Sequence, residues 1–336
     1  MNYKLLGRSG LAVSPVCLGT MMFGGRSDDS TAARIVGSAQ DAGINFIDTA
    51  DVYNDGKSER VVGRLIRKQR DHWVLATKGG NAMGPGPNER GLGRRWLMRA
   101  VEGSLGRLGT DVIDIYYLHR DDHAVDLAET VMALGDLIRA GKIRHWGVSN
   151  FRAYRMTHMV ALADRLGVPH PVVSQPYYNA MNRMPEVEVL PACAEHGIGV
   201  VPYSPLAHGV LTGKYDPDAK PKKGTRAGLG DVRMMETEFR RESLVMAQTI
   251  KAHAESRGMT AGQFALNWVL NNRIVTSVLA GPRTMAQWKE YLGGLAHDFT
   301  AEDEALIDSL VTTGHPSTPG FNDPRYPVIG RVPESN

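Results

Sequence analysis

Short apolar runs alternate along the chain with longer segments in which apolar residues recur every three or four positions. One such longer series is Met98, Val101, Leu105 and Leu108. This spacing is typical of a helix with one apolar face, and such helices need a sheet to cover. Eight short runs are predicted to be its strands: Val16–Thr20, Asn45–Thr49, Val74–Lys78, Ile113–His119, His145–Asn150, Val172–Tyr177, Gly199–Ser204 and Thr276–Gly281. Eight alternations predict an α/β fold, a closed (β/α)8 TIM barrel.

A β-hairpin is predicted in residues 1–14, because two short apolar stretches flank the turn residues Gly7, Ser9 and Gly10. The length suits one domain over residues 1–336, since barrels of this kind reach about 250 residues or more as single units. Two long loops follow predicted strands, so we expect them on the C-terminal face, where barrel active sites form. The stretches without a helical or strand pattern are Asn81–Gly93, Ala207–Glu236 and the tail 312–336.

The composition of the chain argues against several classes of protein. The net charge of +3 comes from 39 basic and 36 acidic residues that are largely intermixed, which argues against a nucleic-acid-binding surface. No apolar run reaches membrane-spanning length, and the first residues lack a secretory signal, so we expect a cytoplasmic protein. Two cysteines, Cys17 and Cys193, are too few for a disulfide framework and are predicted to be buried thiols.

Four polar residues stand where predicted strands end. Asp48, Lys78 and His119 each end a strand, and Tyr53 follows the first of them closely. A phenol becomes a usable proton donor when a nearby positive charge lowers its pKa. We therefore predict that Asp48 and Lys78 form a buried ion pair, that Lys78 stabilises a developing phenolate on Tyr53, and that His119 orients a carbonyl. The site predicts an oxidoreductase.

Each of these residues, taken alone, is more often structural than catalytic, and the competing motifs of the chain lack the spacing or partners that their sites need. Gly209–Tyr215 has the wrong glycine spacing for a phosphate-cradling loop, and Gly147–Phe151 lacks the second glycine of a nucleophile elbow. His119 and His123 have ligand-like spacing but no further His or Cys cluster, so no metal site is expected. No GxGxxG follows a strand, which gives no support to a Rossmann cofactor site.

Six segments carry a family resemblance over almost the whole chain: Cys17–Met21, Asp48–Glu59, Ala76–Gly79, Tyr117–Arg120, Gly147–Phe151 and Tyr203–Leu206. In this order they resemble the aldo-keto reductase superfamily, closest to the branch with bacterial reductases and the potassium-channel β subunits. The resemblance implies a barrel that binds NADP(H) without a Rossmann fold. It also implies Tyr53 as general acid, Asp48 and Lys78 as the groups that tune it, and His119 as the group that orients the carbonyl.

The resemblance further implies the cofactor contacts. Ser149, Asn150 and Gln175 match positions that hydrogen-bond the nicotinamide amide, and Tyr203 matches the aromatic that stacks on its ring. Arg283 stands at a helix start where it could hold a 2′-phosphate, which favours NADP over NAD. The other implied positions are Gly19, Thr20, Met21 and Asp48 near the nicotinamide; Ser204, Pro205, Leu206, Gly209, Lys214 and Arg226 at the pyrophosphate; and Gly281, Gln287 and Glu290 at the adenosine phosphate.

The sequence departs from the family pattern at two positions that would affect the affinity for the adenosine. Tyr291 stands where the family commonly has asparagine, and Gly281 stands where some branches have lysine. The first hypothesis is NADPH-dependent, reversible reduction of an aldehyde or ketone, in a pocket shaped by Met21, Met22, Phe23 and the loop Asn81–Gly93. The second is a nucleotide-sensing or scaffold subunit of the channel-β kind with slow turnover. The native substrate, the physiological direction and the oligomeric state stay open.

Overall fold

The computed structural model describes residues 1–330. Parallel strands alternate with helices from residue 16 onward, as the apolar pattern predicts. The strands are β1 Lys4–Leu5, β2 Ala12–Val13, β3 Val16–Gly19, β4 Phe46–Asp48, β5 Val74–Gly79, β6 Ile113–Leu118, β7 Ile143–Ser149, β8 Val173–Gln175, β9 Gly199–Val200 and β10 Val278–Ala280. The α-helices are α1 Asp29–Asp41, α2 Lys57–Ile66, α3 Arg94–Leu108, α4 Leu127–Arg139, α5 Ala153–Leu166, α6 Val189–His196, α7 Val232–Glu236, α8 Arg241–Ser256, α9 Ala261–Asn271, α10 Met285–Gly294 and α11 Ala301–Leu310.

The eight strands β3 to β10 form one parallel sheet in the order β10-β3-β4-β5-β6-β7-β8-β9. Its two edges meet, because the Thr276 N–H donates to the Val200 carbonyl (2.9 Å) and the Leu279 N–H donates to the Pro202 carbonyl (2.9 Å). The predicted (β/α)8 barrel is thus confirmed. Within residues 1–330, no helix has both the length and the apolarity needed to cross a membrane.

The hairpin β1–β2 precedes the barrel, as predicted, and it covers the N-terminal end of the barrel. Leu6 and Val13 are fully buried and pack against strand residues of the barrel interior, such as Phe46 and Tyr117. The Arg8 N–H donates to the Gly197 carbonyl (2.9 Å), which fixes the hairpin beside β9. Because the hairpin fills the N-terminal end of the barrel, we expect an active site at the C-terminal ends of the strands.

Several element boundaries differ from the predicted ones. β8 and β9 are shorter because Pro176 and Pro202 have no N–H to continue the ladder. The stretch 207–236, predicted as a loop, contains two short 3-10 helices and α7, so that prediction was wrong in part. The tail has no helix or strand over residues 312–330, and its last part, 331–336, lies outside the described residues. Within residues 1–330, the 3-10 helices are Arg67–His72, Met184–Glu186, Ala207–Thr212 and Ala227–Leu229.

Helices α2 and α3 approach each other at a glycine, which gives a test of the packing. A Cβ on Gly63 would lie 1.9 Å from the Leu108 carbonyl oxygen. We expect Gly63→Ala to lower the free energy of unfolding by about 1–3 kcal/mol, because backbone must shift to admit the methyl group. Gly37 in α1 is the matched control, since its Cβ would meet nothing within 4 Å. Gly37→Ala should be neutral or stabilising by up to about 1 kcal/mol. Equal effects of the two changes in urea unfolding would contradict this packing.

Candidate active site

Adjacent strands bring a lysine and a carboxylate together at the C-terminal end of the barrel. Asp48 is the last residue of β4, and Lys78 lies in the neighbouring β5. Both side chains are 0% exposed and form an ion pair through Lys78 Nζ and Asp48 Oδ1. Lys78 Nζ also donates to the Thr49 carbonyl (2.9 Å) and to Tyr53 Oη (3.2 Å). Its three N–H groups are therefore all used, and one of them points at the phenol.

In this cluster, burial and the neighbouring opposite charges shift the pKa values in opposite directions. Burial alone would lower the pKa of Lys78, but the interactions with Asp48 and Tyr53 raise it by more, so the net shift is upward. The ammonium of Lys78 therefore stays charged. Burial raises the pKa of Asp48, and the charge of Lys78 opposes that rise. Burial also raises the pKa of Tyr53 above its usual value, while Lys78 acts to lower it. The predicted effect of the lysine on the phenol is present, but burial exceeds it.

His119 directly follows β6 and faces the phenol. Its ring lies edge-on to the Tyr53 ring, with centroids 5.8 Å apart. Burial, together with the charges of Lys78 and Arg120, lowers the pKa of His119 to about 3. The imidazole is therefore neutral at physiological pH. No residue in the described part of the chain is hydrogen-bonded to its Nδ1. A neutral ring can donate one N–H to a carbonyl oxygen.

Side-chain amides surround these residues. Gln175 Nε2 donates to Asp48 Oδ2 (3.0 Å), and Asn150 Nδ2 donates to the His119 carbonyl (2.9 Å). Tyr203 Oη donates in turn to Asn150 Oδ1 (2.8 Å). Ser149 joins the two groups, because its Oγ accepts from Asn150 Nδ2 (3.1 Å) and donates to the Gln175 carbonyl, so all four predicted nicotinamide contacts belong to one hydrogen-bonded network with Asp48 and His119.

The remaining positions predicted near the nicotinamide lie on or just after β3 and β7, and Gly281, predicted at the adenosine phosphate, directly follows β10. Thr20 is buried and its Oγ1 donates to the Asp48 carbonyl (2.9 Å), while Met21 next to it is 43% exposed. Ser149 Oγ, at the end of β7, donates to the Gln175 carbonyl (2.9 Å). A Cβ on Gly281 would lie 4.0 Å from the Gly19 carbonyl, so the ends of β10 and β3 are adjacent. All of these residues lie at the C-terminal ends of the strands.

The loop predicted to bind a pyrophosphate has an unusual backbone. Ser204, Ala207 and His208 have φ values of 57°, 47° and 53°, and Gly209 follows at 98°. Left-handed conformations are rare for residues other than glycine and cost about 1–3 kcal/mol each. Pro205 and Leu206 lie within this bend, and Lys214 Nζ would be 3.2 Å from a Cβ on Gly209. Strained backbone of this kind concentrates at ligand-binding sites.

The start of α10 lines a basic cavity. Arg283 is exposed, its backbone N–H donates to Gln287 Oε1 (2.8 Å), and its carbonyl accepts from Ser27 Oγ (2.8 Å). Arg283 borders a cavity of about 380 Å³ together with Arg26 and Arg34. Sequence reasoning missed these last two arginines, because they come from the β3–α1 region and nothing in the local pattern connects them with α10.

Two predicted cofactor residues have partners within the protein. Arg226 Nε is 2.9 Å from Asp231 Oδ2, so its guanidinium forms an ion pair within its own loop. Glu290 Oε1 accepts a hydrogen bond from Thr260 Oγ1 (2.9 Å), which directs this carboxylate toward the start of α9. A direct cofactor contact by either side chain would add to these interactions or replace them.

The C-terminal tail crosses the same face of the barrel. Arg152 Nη2 donates to the Tyr326 carbonyl (2.7 Å), and Arg233 Nη1 donates to Asp323 Oδ1 (2.6 Å). The Arg233 guanidinium also lies 5.9 Å from the centre of the Tyr177 ring, which stacks on Tyr203. The tail thereby adds to the wall around the site.

The fold is a parallel eight-stranded barrel that carries Asp48, Tyr53, Lys78 and His119 at its C-terminal end. A comparison with known protein families agrees with this architecture. The profile of the Aldo/keto reductase family matches residues 15–312, which include all eight barrel strands. The chain therefore belongs to the Aldo/keto reductase family. Family membership places it among oxidoreductases that act on small carbonyl compounds and that generally use NAD(P)H.

Relatives with different names share this domain. A probable voltage-gated potassium channel subunit beta of Arabidopsis thaliana is 37% identical over 298 residues, covering 86% of this chain and 90% of the relative. The uncharacterized oxidoreductase YrpG of Bacillus subtilis is 36% identical over 321 residues, covering 92% and 96%. An L-glyceraldehyde 3-phosphate reductase of Escherichia coli is 32% identical over 327 residues, covering 94% and 93%.

Proposed function

We propose that the protein reduces an aldehyde or ketone to an alcohol with NADPH, in a reversible reaction. The observation that carries this proposal is the contact of Lys78 Nζ with Tyr53 Oη at 3.2 Å, with Asp48 paired to the same nitrogen. This arrangement places a fixed positive charge beside the phenol that would donate the proton.

In the proposed mechanism, NADPH, when bound, would supply a hydride to the carbonyl carbon of the substrate. The Tyr53 Oη–H gives its proton to the carbonyl oxygen as that oxygen becomes an alkoxide, and the Lys78 ammonium stabilises the phenolate that remains. The neutral His119 ring donates an N–H to the same oxygen and orients the substrate. Asp48 keeps the lysine in place, because leaving either buried charge unpaired would be costly.

Residues at two ends of the site fit a nicotinamide dinucleotide. Ser149, Asn150 and Gln175 present hydroxyl and amide groups for the nicotinamide amide, and Tyr203 presents an aromatic ring. Gly19, Thr20, Met21 and Asp48 would border the same end. The strained loop with Ser204, Pro205, Leu206 and Gly209 would hold the pyrophosphate, with Lys214 and Arg226 as cations. Gly281, Arg283, Gln287 and Glu290 would hold the adenosine phosphate.

The preference for NADPH is expected to depend on Arg283. Arg283→Ala should weaken NADPH binding by roughly 10- to 100-fold, because a charge-assisted contact with the 2′-phosphate is lost. NADH binding should change by less than about threefold, since NADH has no such phosphate. The measurement is the Kd of each nucleotide by fluorescence titration. Arg273→Ala, at an exposed arginine in the α9–β10 connection, is the control. Equal losses for NADPH and NADH would exclude the 2′-phosphate role.

A second candidate function is a nucleotide sensor or scaffold subunit with slow turnover, which the likeness to probable channel β subunits favours. NADPH oxidation at 340 nm, measured over a panel of aldehydes, ketones and quinones, separates the two. Repeated turnover with any of these compounds supports the reductase. Tight NADPH binding with no more than a single turnover supports the sensor.

The proposal includes a cytoplasmic location and a small carbonyl compound as the binding partner. Both cysteines, Cys17 and Cys193, are buried and free, as predicted, which suits a reducing compartment. A phosphorylated aldehyde belongs in the substrate panel, because one relative is named for such a compound.

A further inference from the structure

A second group of buried polar residues lies close to the proposed catalytic residues, on the outer side of the barrel wall. It consists of Asp51, Glu59, Arg107 and Tyr116, and we call it the outer cluster. Asp51 is 0% exposed, and neither of its carboxylate oxygens has a hydrogen-bond partner among residues 1–330. Its backbone N–H donates to the Lys78 carbonyl (3.0 Å), so the backbone of Asp51 is fixed beside the strand that carries Lys78.

The other carboxylate of the outer cluster, Glu59, accepts the hydrogen bonds that Thr77 and Arg107 donate. Glu59, on α2, is also 0% exposed. It accepts hydrogen bonds from Thr77 Oγ1 (2.6 Å) and from Arg107 Nε (2.5 Å). One cation therefore lies beside two buried carboxyl groups, and its hydrogen bond goes to Glu59 rather than Asp51. Two buried carboxyl groups with one cation favour an arrangement in which one of them keeps its proton.

The space around Asp51 also contains a phenol. Within the described residues, Tyr116 Oη on β6 has no hydrogen-bond partner. A Cβ on Gly79 would lie 2.0 Å from Tyr116 Oη and 3.2 Å from Asp51 Oδ2, so both groups border the same small space beside β5. Only a glycine at this position leaves the space open.

The electrostatics agree with a protonated Asp51. Burial and the charge of Glu59 raise the pKa of Asp51 to about 7, although Arg107 and Lys78 act to lower it. The negative charge of an ionised Asp51 in turn raises the pKa of Tyr53, whose principal shift comes from burial. Asp51 and Lys78 therefore act on the phenol in opposite directions.

We infer that Asp51 is a positioning residue that acts through Tyr53: protonated, it adds nothing to the charge of Asp48, which already opposes the field of Lys78 at the phenol, and ionised, it adds to that opposition and makes the phenol a weaker acid. This inference rests on the proposed role of Tyr53 as the proton donor. The groups that face Asp51 or act on its charge are Lys78 on β5, Tyr116 on β6, Glu59 on α2, Arg107 on α3, and Tyr53 in the β4–α2 loop.

The first test is the pH profile of kcat for carbonyl reduction at saturating NADPH, between pH 5.5 and 8.5. As Asp51 ionises near neutral pH, the parent rate is expected to fall about three- to tenfold. Asp51→Asn should lose this step, because the amide does not titrate. Asp55→Asn is the matched control in the same loop, since Asp55 is exposed, and it should keep the parent profile. A step near pH 7 that persists in Asp51→Asn, or a flat parent profile, would overturn the inference.

Glu59→Gln provides a second variant that moves the step instead of deleting it. Removing the like charge of Glu59 favours ionisation of Asp51, so the fall in rate is expected at lower pH than in the parent. A merely structural role for the outer cluster would change the rate at every pH equally. An unmoved step would count against the inference.

Thermal unfolding tests the same proton without any turnover. The pKa of Asp51 is raised in the folded protein, so the folded state binds this proton more tightly, and its contribution to stability decreases as pH rises from about 4 to about 7. The Tm of Asp51→Asn minus that of the parent should therefore increase between pH 5 and pH 8, whereas Asp55→Asn should show no such trend. A constant difference would overturn the inference. Failure of the proposed function would look different: neither protein would turn over, yet the Tm difference would still increase.

Discussion

Tyr53→Phe is expected to lower kcat for carbonyl reduction by about 10²- to 10⁴-fold, the usual contribution of a positioned general acid. The change removes only the phenolic oxygen, which lies 3.2 Å from Lys78 Nζ. The ring and its edge-on contact with His119 are retained. NADPH affinity should therefore stay within about threefold of the parent value, so the loss appears in kcat rather than in binding.

Tyr154→Phe is the control for this change. Tyr154 lies on α5 with 55% of its surface exposed, and losing its hydroxyl should leave kcat unchanged. Steady-state rates with one aldehyde, together with a nucleotide titration for each protein, give the comparison. If Tyr53→Phe reduced the aldehyde at the parent rate, another group would be the proton donor.

Lys78→Met should affect both stability and activity. Lys78 is buried and shares its three N–H groups among Asp48, Thr49 and Tyr53, so its loss leaves the Asp48 carboxylate buried without a cation. Breaking a buried ion pair in this way costs about 3–5 kcal/mol. Reduction should fall at least as far as in Tyr53→Phe, because the phenolate then has no counter-charge. Urea unfolding and kcat are the two measurements.

A double variant separates these two effects. Lys78→Met with Asp48→Asn removes both charges, so it should recover much of the stability lost in Lys78→Met. It should not recover activity, since the phenol still lacks its neighbouring cation. A double variant that stayed as unstable as the single one would show that the packing of the lysine chain, rather than its charge, supports the fold.

The barrel could be predicted because strand and helix periods alternate clearly along the chain. Buried parallel strands are short apolar runs, and the helices that cover them have one apolar face. The ends of β8 and β9 could not be placed as well, because the predicted runs continued through Pro176 and Pro202. The short helices within 207–236 were missed, since one or two turns leave no periodic pattern to read.

The four proposed catalytic residues could be found because each lies at or just after the end of a strand, and a barrel brings such positions together. The net direction of the Tyr53 pKa could not, since it depends on burial, which the sequence does not quantify. Asp51 was not singled out for a similar reason. It lies among loop residues in the sequence, and only the fold places it beside Glu59 on the outer side of the wall.

The proposal that hydride passes from NADPH to a carbonyl at this site is tested most directly by isotope transfer. The parent protein would be incubated with an aldehyde and with NADPH carrying deuterium at both positions of nicotinamide C4, and the product analysed by mass spectrometry. We expect an alcohol that carries one transferred deuterium on the former carbonyl carbon, and almost none of it from Tyr53→Phe in the same time. Alcohol without deuterium, or NADPH bound with no alcohol formed from any carbonyl compound in the panel, would contradict the proposed reductase.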